Sequence, residues 1–130
     1  MIILGSITIT KPYRDIEKFS KMNLENFIKE QNNVTTAKKS IKDYYNLLIE
    51  ESESKFGQKL DSKNIPNFLI ENEIIDSSTY SQLKDVTKLI LNINKISDED
   101  LYLNLVRILE IIEESYEQIE LKFKTKTGKK

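Results

Sequence analysis

Leu101, Leu105, Ile108, Ile112, Tyr116, Ile119 and Phe123 recur every three to four residues along the last quarter of the chain. Apolar residues at that spacing line one face of an α-helix, and such a face needs other elements to cover it. Leu103, Val106, Leu109 and Ile111 widen the stripe in its first half. A helix apolar on more than one side is either central in a bundle or packs against a partner. The pattern therefore predicts a long C-terminal helix, the longest and most buried in an all-α bundle. It also makes Leu103, Val106, Leu109 and Ile111 candidate interface residues. The start of this helix is marked by Ser97-Asp98-Glu99-Asp100. Ser at the N-cap with a carboxylate three residues on is close to a capping box, and acids in a first turn complement the helix dipole.

The rest of the chain divides into shorter helical stretches. Pro12 suits a helix's first turn. Ile16, Phe19, Met22 or Asn23, Phe27 and Ile28 then predict a first helix over 12–31. The stretch "QNNVTT" breaks it, and Thr35 or Thr36 is placed to cap a second helix. Ala37, Ile41, Tyr44, Leu48 and Phe56 make that helix's stripe, with Tyr45 and Ile49 beside it, and Gly57 stands where a helix stop is expected. Asp61 or Ser62 opens a short helix built on Ile65, Phe68 and Leu69, ending near Asn72 and Glu73. The cap-rich "DSSTYSQL" starts another, with Tyr80, Leu83, Val86 or Thr87, Ile90 and Leu91 on its core face. The architecture expected is a four- or five-helix bundle over 12–124. It is preceded by an extended N-terminal arm over 1–11 and followed by a basic flexible tail over 125–130. The alternating "SITIT" is strand-like, but a lone strand has no pairing partner in a helical chain.

Composition narrows the chemistry. The 130 residues suit one domain, and three Gly with two Pro favour long helices over a many-turned β fold. The net charge of −1 gives no overall basic character for nucleic acid, and no specific nucleic-acid binding is expected. Absence of Cys excludes disulfides, a thiolate nucleophile and Cys-ligated zinc. Absence of His removes the commonest general base near neutral pH and the commonest metal ligand. No apolar run reaches the ~20 residues that span a bilayer, and "MIILGSITIT" lacks the basic start and apolar core of a signal peptide. A cytoplasmic location is the expectation.

The stretch "LILNINKISDED" over 89–100 places two Asn inside an apolar run, between one helix and the next. Asn tolerates turn conformations, so the stretch has a sufficient reading as a turn. The order of parts also resembles a known family. A long helix, a short connecting helix in "IPNFLIENEII", a capped helix, a turn and "ISDEDLYLNLVRILEIIEE" are similar, over about 35–123, to the HEPN domain (higher eukaryote and prokaryote nucleotide-binding). In active members an Arg, often followed by a polar residue, and a His a few residues later act across a dimer on RNA. Here the matching stretch reads Leu91-Asn92-Ile93-Asn94-Lys95-Ile96. Leu91 stands at the Arg position, Asn92 matches the polar residue, and no His exists. The resemblance implies a degenerate, non-catalytic member, keeping the bundle and a tendency to dimerise.

Two charged features remain. Glu110, Glu113, Glu114, Glu117 and Glu120 fall on one side of the last helix, and "IEESE" adds Glu50, Glu51 and Glu53. Carboxylates converging from two helices hold Mg²⁺ in helical nucleotide pyrophosphohydrolases. That chemistry would need Glu50 or Glu53 to face Glu113 or Glu117 across a cleft. The ordinary reading is a solvated face opposite Ile108, Ile112 and Tyr116. Lys122, Lys124, Lys126, Lys129 and Lys130 form the basic end, read as a solvated terminus complementing the helix dipole. The expected function is a non-catalytic interaction or scaffolding module without a cofactor, acting as a homodimer or with a protein partner. The alternative is the Mg²⁺-dependent pyrophosphohydrolase.

Overall fold

In the computed structural model of the chain, residues 6–128 are described, with side chains from Ile7 to Lys124. The described residues form seven α-helices: α1 (Lys11–Ser20), α2 (Leu24–Lys29), α3 (Gln31–Phe56), α4 (Ile65–Glu71), α5 (Ser77–Leu91), α6 (Asp98–Leu103) and α7 (Leu105–Gly128). The all-α class and the long C-terminal helix are as expected from the apolar periodicity. The larger helix count arises because two expected helices are each broken once, and each break centres on an asparagine whose side chain takes over a backbone partner.

The first break lies at Asn23. In an unbroken helix the Asn26 N–H would donate to the Met22 carbonyl. Instead it donates to the Asn23 side chain at 2.8 Å, making Asn23 the N-cap of α2. The Met22 carbonyl accepts the Tyr102 hydroxyl from α6. The bend brings Phe19 and Phe27 together edge to face at 5.7 Å, and Phe27 meets Tyr102 at 5.5 Å. The second break lies at Asn104. Its side-chain amide donates to the Asp100 carbonyl at 2.8 Å, and its backbone N–H shifts to Leu101 O at 3.1 Å. A side chain that competes for its own i−4 carbonyl bends a helix there. Leu101 and Leu105 stay buried on either side.

α3 starts at Gln31, four or five residues before the expected caps. Thr35 and Thr36 lie within it, and Glu30 flanks its start. The poor helix formers of "NNVTT" are overridden because Val34 and Ala37 bury against the core. Among the described residues α3, with 26 residues against 24, is longer than α7. Both are central: α1 packs on each of them, and they pack on each other. α7 also packs on α5, which carries α4, while α2 lies against α3 and α6. Gly57 ends α3 in the left-handed conformation at φ 67°, as its position suggested. Tyr45 ties three elements, donating to Ser62 O at 2.7 Å and meeting the Thr87 hydroxyl at 2.9 Å. Phe56 closes the far end edge to face on Phe68 at 4.7 Å and Phe123 at 5.2 Å.

The N-terminal segment differs from the expected extended arm. Ser6–Ile9 is a 3-10 turn packed on α1 and α7, with Ile7 buried in the core. A strand would put Ile7 and Ile9 on one face; in the turn they part, Ile7 facing in and Ile9 out. Residues 1–5 of the arm lie outside the described residues. At the other end α7 continues to Gly128, through the first residues assigned to a tail. No helix among the described residues is long and apolar enough to cross a membrane.

The α4–α5 connection carries local strain. Glu73 has φ 58°, with its N–H on Ile70 O at 3.1 Å and the Ile74 N–H on Leu69 O at 2.9 Å. This is a Schellman cap with a Glu where Gly is usual. A side chain in that conformation costs roughly 1 to 2 kcal/mol. Glu73→Gly is expected to raise stability by about 0.5 to 1 kcal/mol, since Gly's greater freedom when unfolded offsets part of the gain. Urea denaturation checks this, and a loss of stability would contradict the strain.

Candidate functional site

The 89–100 stretch is built as a turn. α5 ends at Leu91, and the Asn92 N–H reaches both Lys88 O and Leu89 O at 3.2 Å. The Asn92 side chain donates to the same Lys88 carbonyl at 2.9 Å. Asn92 is thus spent on closing the last turn of α5. Ile93 is buried and pins the 3-10 turn Ile93–Lys95, while Asn94 is exposed. Ser97 Oγ then accepts the Asp100 N–H at 3.0 Å, the cap expected for the next helix. Leu91 departs from its expected core position. Its neighbour Ile90 is buried, and Leu91 is 49% exposed.

The four candidate interface residues separate into two pairs. Leu109 and Ile111 bury within the chain's own core. Leu103 and Val106, one on each side of the Asn104 break, are 64% and 50% exposed. The break turns α6 so that Leu101 takes the inward position and Leu103 points away. α5 and α7 run antiparallel, since Arg107 pairs with Asp85 at 3.1 Å and Gln118 donates to Thr79 at 3.2 Å. This register sets Leu91 at the same end of the bundle as Leu103 and Val106.

The acids of α7 are not all on a solvated face. Glu110 and Glu114 are exposed, but Glu113, Glu117 and Glu120 are partly covered. Glu120 follows Tyr116 by four residues and precedes Phe123 by three, which puts it on the border of the apolar stripe. It meets α3 there. Lys55 Nζ lies 3.3 Å from Glu51 Oε2 and 3.8 Å from Glu120 Oε2. The Glu51 and Glu120 side chains are only 15% and 11% exposed. Glu51 Oε2 is enclosed, and its ion pair with Lys55 falls short of an aligned hydrogen bond. A hydrogen bond to Glu51, burial and Glu51's charge push the Glu120 carboxyl up to about 7, while Lys55 opposes the rise. Sequence spacing placed Glu120 near the stripe. Only the packing of α3 on α7 brings Glu51 and Lys55 to it.

The pairing required for a two-helix Mg²⁺ site is different. Glu53 Oε2 accepts the Leu60 N–H at 2.9 Å and closes the loop after α3. Glu50 lines a shallow cleft of about 200 Å³ with Glu51, Leu47, Ile7, Thr10 and Tyr116. Glu113 instead lies toward Tyr44 and Tyr13. Burial first, then Glu117 and the other neighbouring acids, raises its carboxyl above the ordinary range. The buried Tyr44 phenol, whose oxygen has no hydrogen-bond partner among the described residues, is driven far above its usual value by burial and then by Glu113. Glu110, Glu113, Glu114 and Glu117 also line a cleft of about 580 Å³ against Asp76, Ser78, Thr79 and Gln82 of α5 and its cap. Asp76 there is already the N-cap, accepting the Thr79 N–H at 2.8 Å. Among the described residues no three acidic side chains converge closely enough to hold a metal ion. Neither a family model, nor a curated protein, nor a solved structure matches this chain.

Proposed function

We propose that this chain is a helical protein-interaction module, HEPN-like in the order of its parts and without that family's catalytic pair. It takes a partner protein, or a second copy, on the end of the bundle where α5 turns into α6 and α7. The exposure of Leu103 and Val106 beside the Asn104 break carries this reading. Single exposed apolar residues are ordinary on protein surfaces. Here Leu91 joins two others at one end, and Asn104 spends its side chain holding the bend that turns Leu103 outward. Asn92, the residue matching the family's polar position, is engaged with Lys88 O and acts as a cap.

The test is native mass spectrometry of protein purified gently from its own host, beside the double variant Leu103→Asp, Val106→Asp. The expected result is a dimer or a complex of fixed stoichiometry in the parent and its loss in the variant. Removing two buried anchors weakens an interface by about 2 to 4 kcal/mol, or tens- to several-hundred-fold. The variant's circular dichroism should match the parent's. An assembly that survives both substitutions would overturn this placement of the surface.

A further inference from the structure

The first half of α3 and the Ile93–Lys95 turn enclose a cleft of about 390 Å³ lined by Thr35, Lys38, Lys39, Lys42, Asp43 and Asn94. Its charge is opposite in sign to that of the whole chain, whose net is −1. Three lysines meet one acid, and that acid is already neutralised, with Lys39 Nζ 2.8 Å from Asp43 Oδ2. Lys38 and Lys42 are one helical turn apart and so share a face. Neither forms an ion pair, and the Thr35 and Asn94 side chains form no hydrogen bond, among the described residues. The cleft thus presents two unpaired ammonium groups, a hydroxyl and an amide, with no free carboxylate. Its surface is rich in donors and poor in acceptors.

We infer that this cleft binds a small anion carrying several phosphate groups. Lysine ammonium groups act as compact point charges that suit phosphate oxygens, and charge-assisted hydrogen bonds are the stronger kind. Two lysines one turn apart reach neighbouring phosphoryl groups of a short chain, and Asn94 and Thr35 supply neutral donors at its edges. The charged anchors belong to α3, while Asn94 lies in the turn that follows Leu91, so the cleft borders the proposed partner surface without using Leu103 or Val106.

The test is a residue-resolved NMR titration of the full chain with sodium tripolyphosphate at low salt. Saturable shifts should appear at Thr35, Lys38, Lys42 and Asn94. Lys38→Gln and Lys42→Gln should each weaken binding about fivefold, and Asp43→Asn should tighten it by releasing Lys39. All three side chains lie at the surface, so circular dichroism should confirm an unchanged fold. ATP binding at the same site with equal affinity would support recognition of the phosphate chain. Shifts confined to Lys122–Lys130, affinities indifferent to Lys38 and Lys42, or sulfate binding as tightly as tripolyphosphate would each overturn the assignment.

Discussion

Ile108→Asp is expected to leave the chain unfolded, or expanded without fixed packing, at 25 °C. Ile108 is wholly buried in α7, the helix that packs on α1, α3 and α5. The substitution removes an isoleucine's burial, worth about 2 to 3 kcal/mol. It also puts a carboxylate into an apolar site without a cation or donor, at a further cost of several kcal/mol. The sum exceeds about 5 kcal/mol and is comparable to the whole stability of an ordinary domain. Val106→Asp is the matched control. It lies two residues away, is half exposed, and sits in the first turn of α7, where an acid suits the helix dipole. Its effect should stay within about 0.5 kcal/mol. Far-UV circular dichroism and urea denaturation separate the two. A parent-like denaturation curve for Ile108→Asp would refute the position of α7 in the core.

The same helix shows what periodicity reveals and where it stops. The stripe from Leu101 to Phe123, the cap at Ser97, the helix start in the cap-rich "DSSTYSQL" and the stop at Gly57 follow from spacing and local hydrogen-bond chemistry. All were legible without coordinates. The breaks at Asn23 and Asn104 were not, because the apolar repeat runs through both without a gap. Each depends on whether an Asn side chain or the backbone wins a hydrogen bond, a difference of about 1 kcal/mol that tertiary contacts decide. At Asn23 the decisive contact is Tyr102 on Met22, eighty residues along the chain. The candidate surface was partly legible for the same reason. The pattern marked Leu103, Val106, Leu109 and Ile111 as surplus to one stripe. Only the bend decides which two turn inward. The early start of α3 is the opposite case, in which burial of Val34 and Ala37 outweighs unfavourable local propensity.

The contact between Glu51, Lys55 and Glu120 predicts a stability that falls as pH rises. The Glu120 carboxyl is raised in the folded protein to about 7, by its hydrogen bond to Glu51 first, then by burial and Glu51's charge. In the unfolded chain it returns to about 4.3. Between those values the folded state binds the extra proton, so raising pH favours unfolding. The stabilisation is complete below about pH 4.3 and is lost as pH passes through about 7. Two groups face this carboxyl from the packed α3, Glu51 and Lys55, and Tyr116, one turn back on α7, acts on Lys55. Lys55 limits the effect by drawing the carboxyl down. With the remaining solvent screening, the expected loss between about pH 5 and pH 8 is on the order of 2 kcal/mol. Glu120→Gln keeps a hydrogen-bond donor toward Glu51 and cannot ionise. It should leave stability near pH 5 almost unchanged, raise it near pH 8 by most of that amount, and flatten the curve between them. Thermal unfolding across this range, parent against variant, measures the difference. Parallel curves would mean that Glu120 is ionised throughout, and that Lys55 alone balances the two carboxylates.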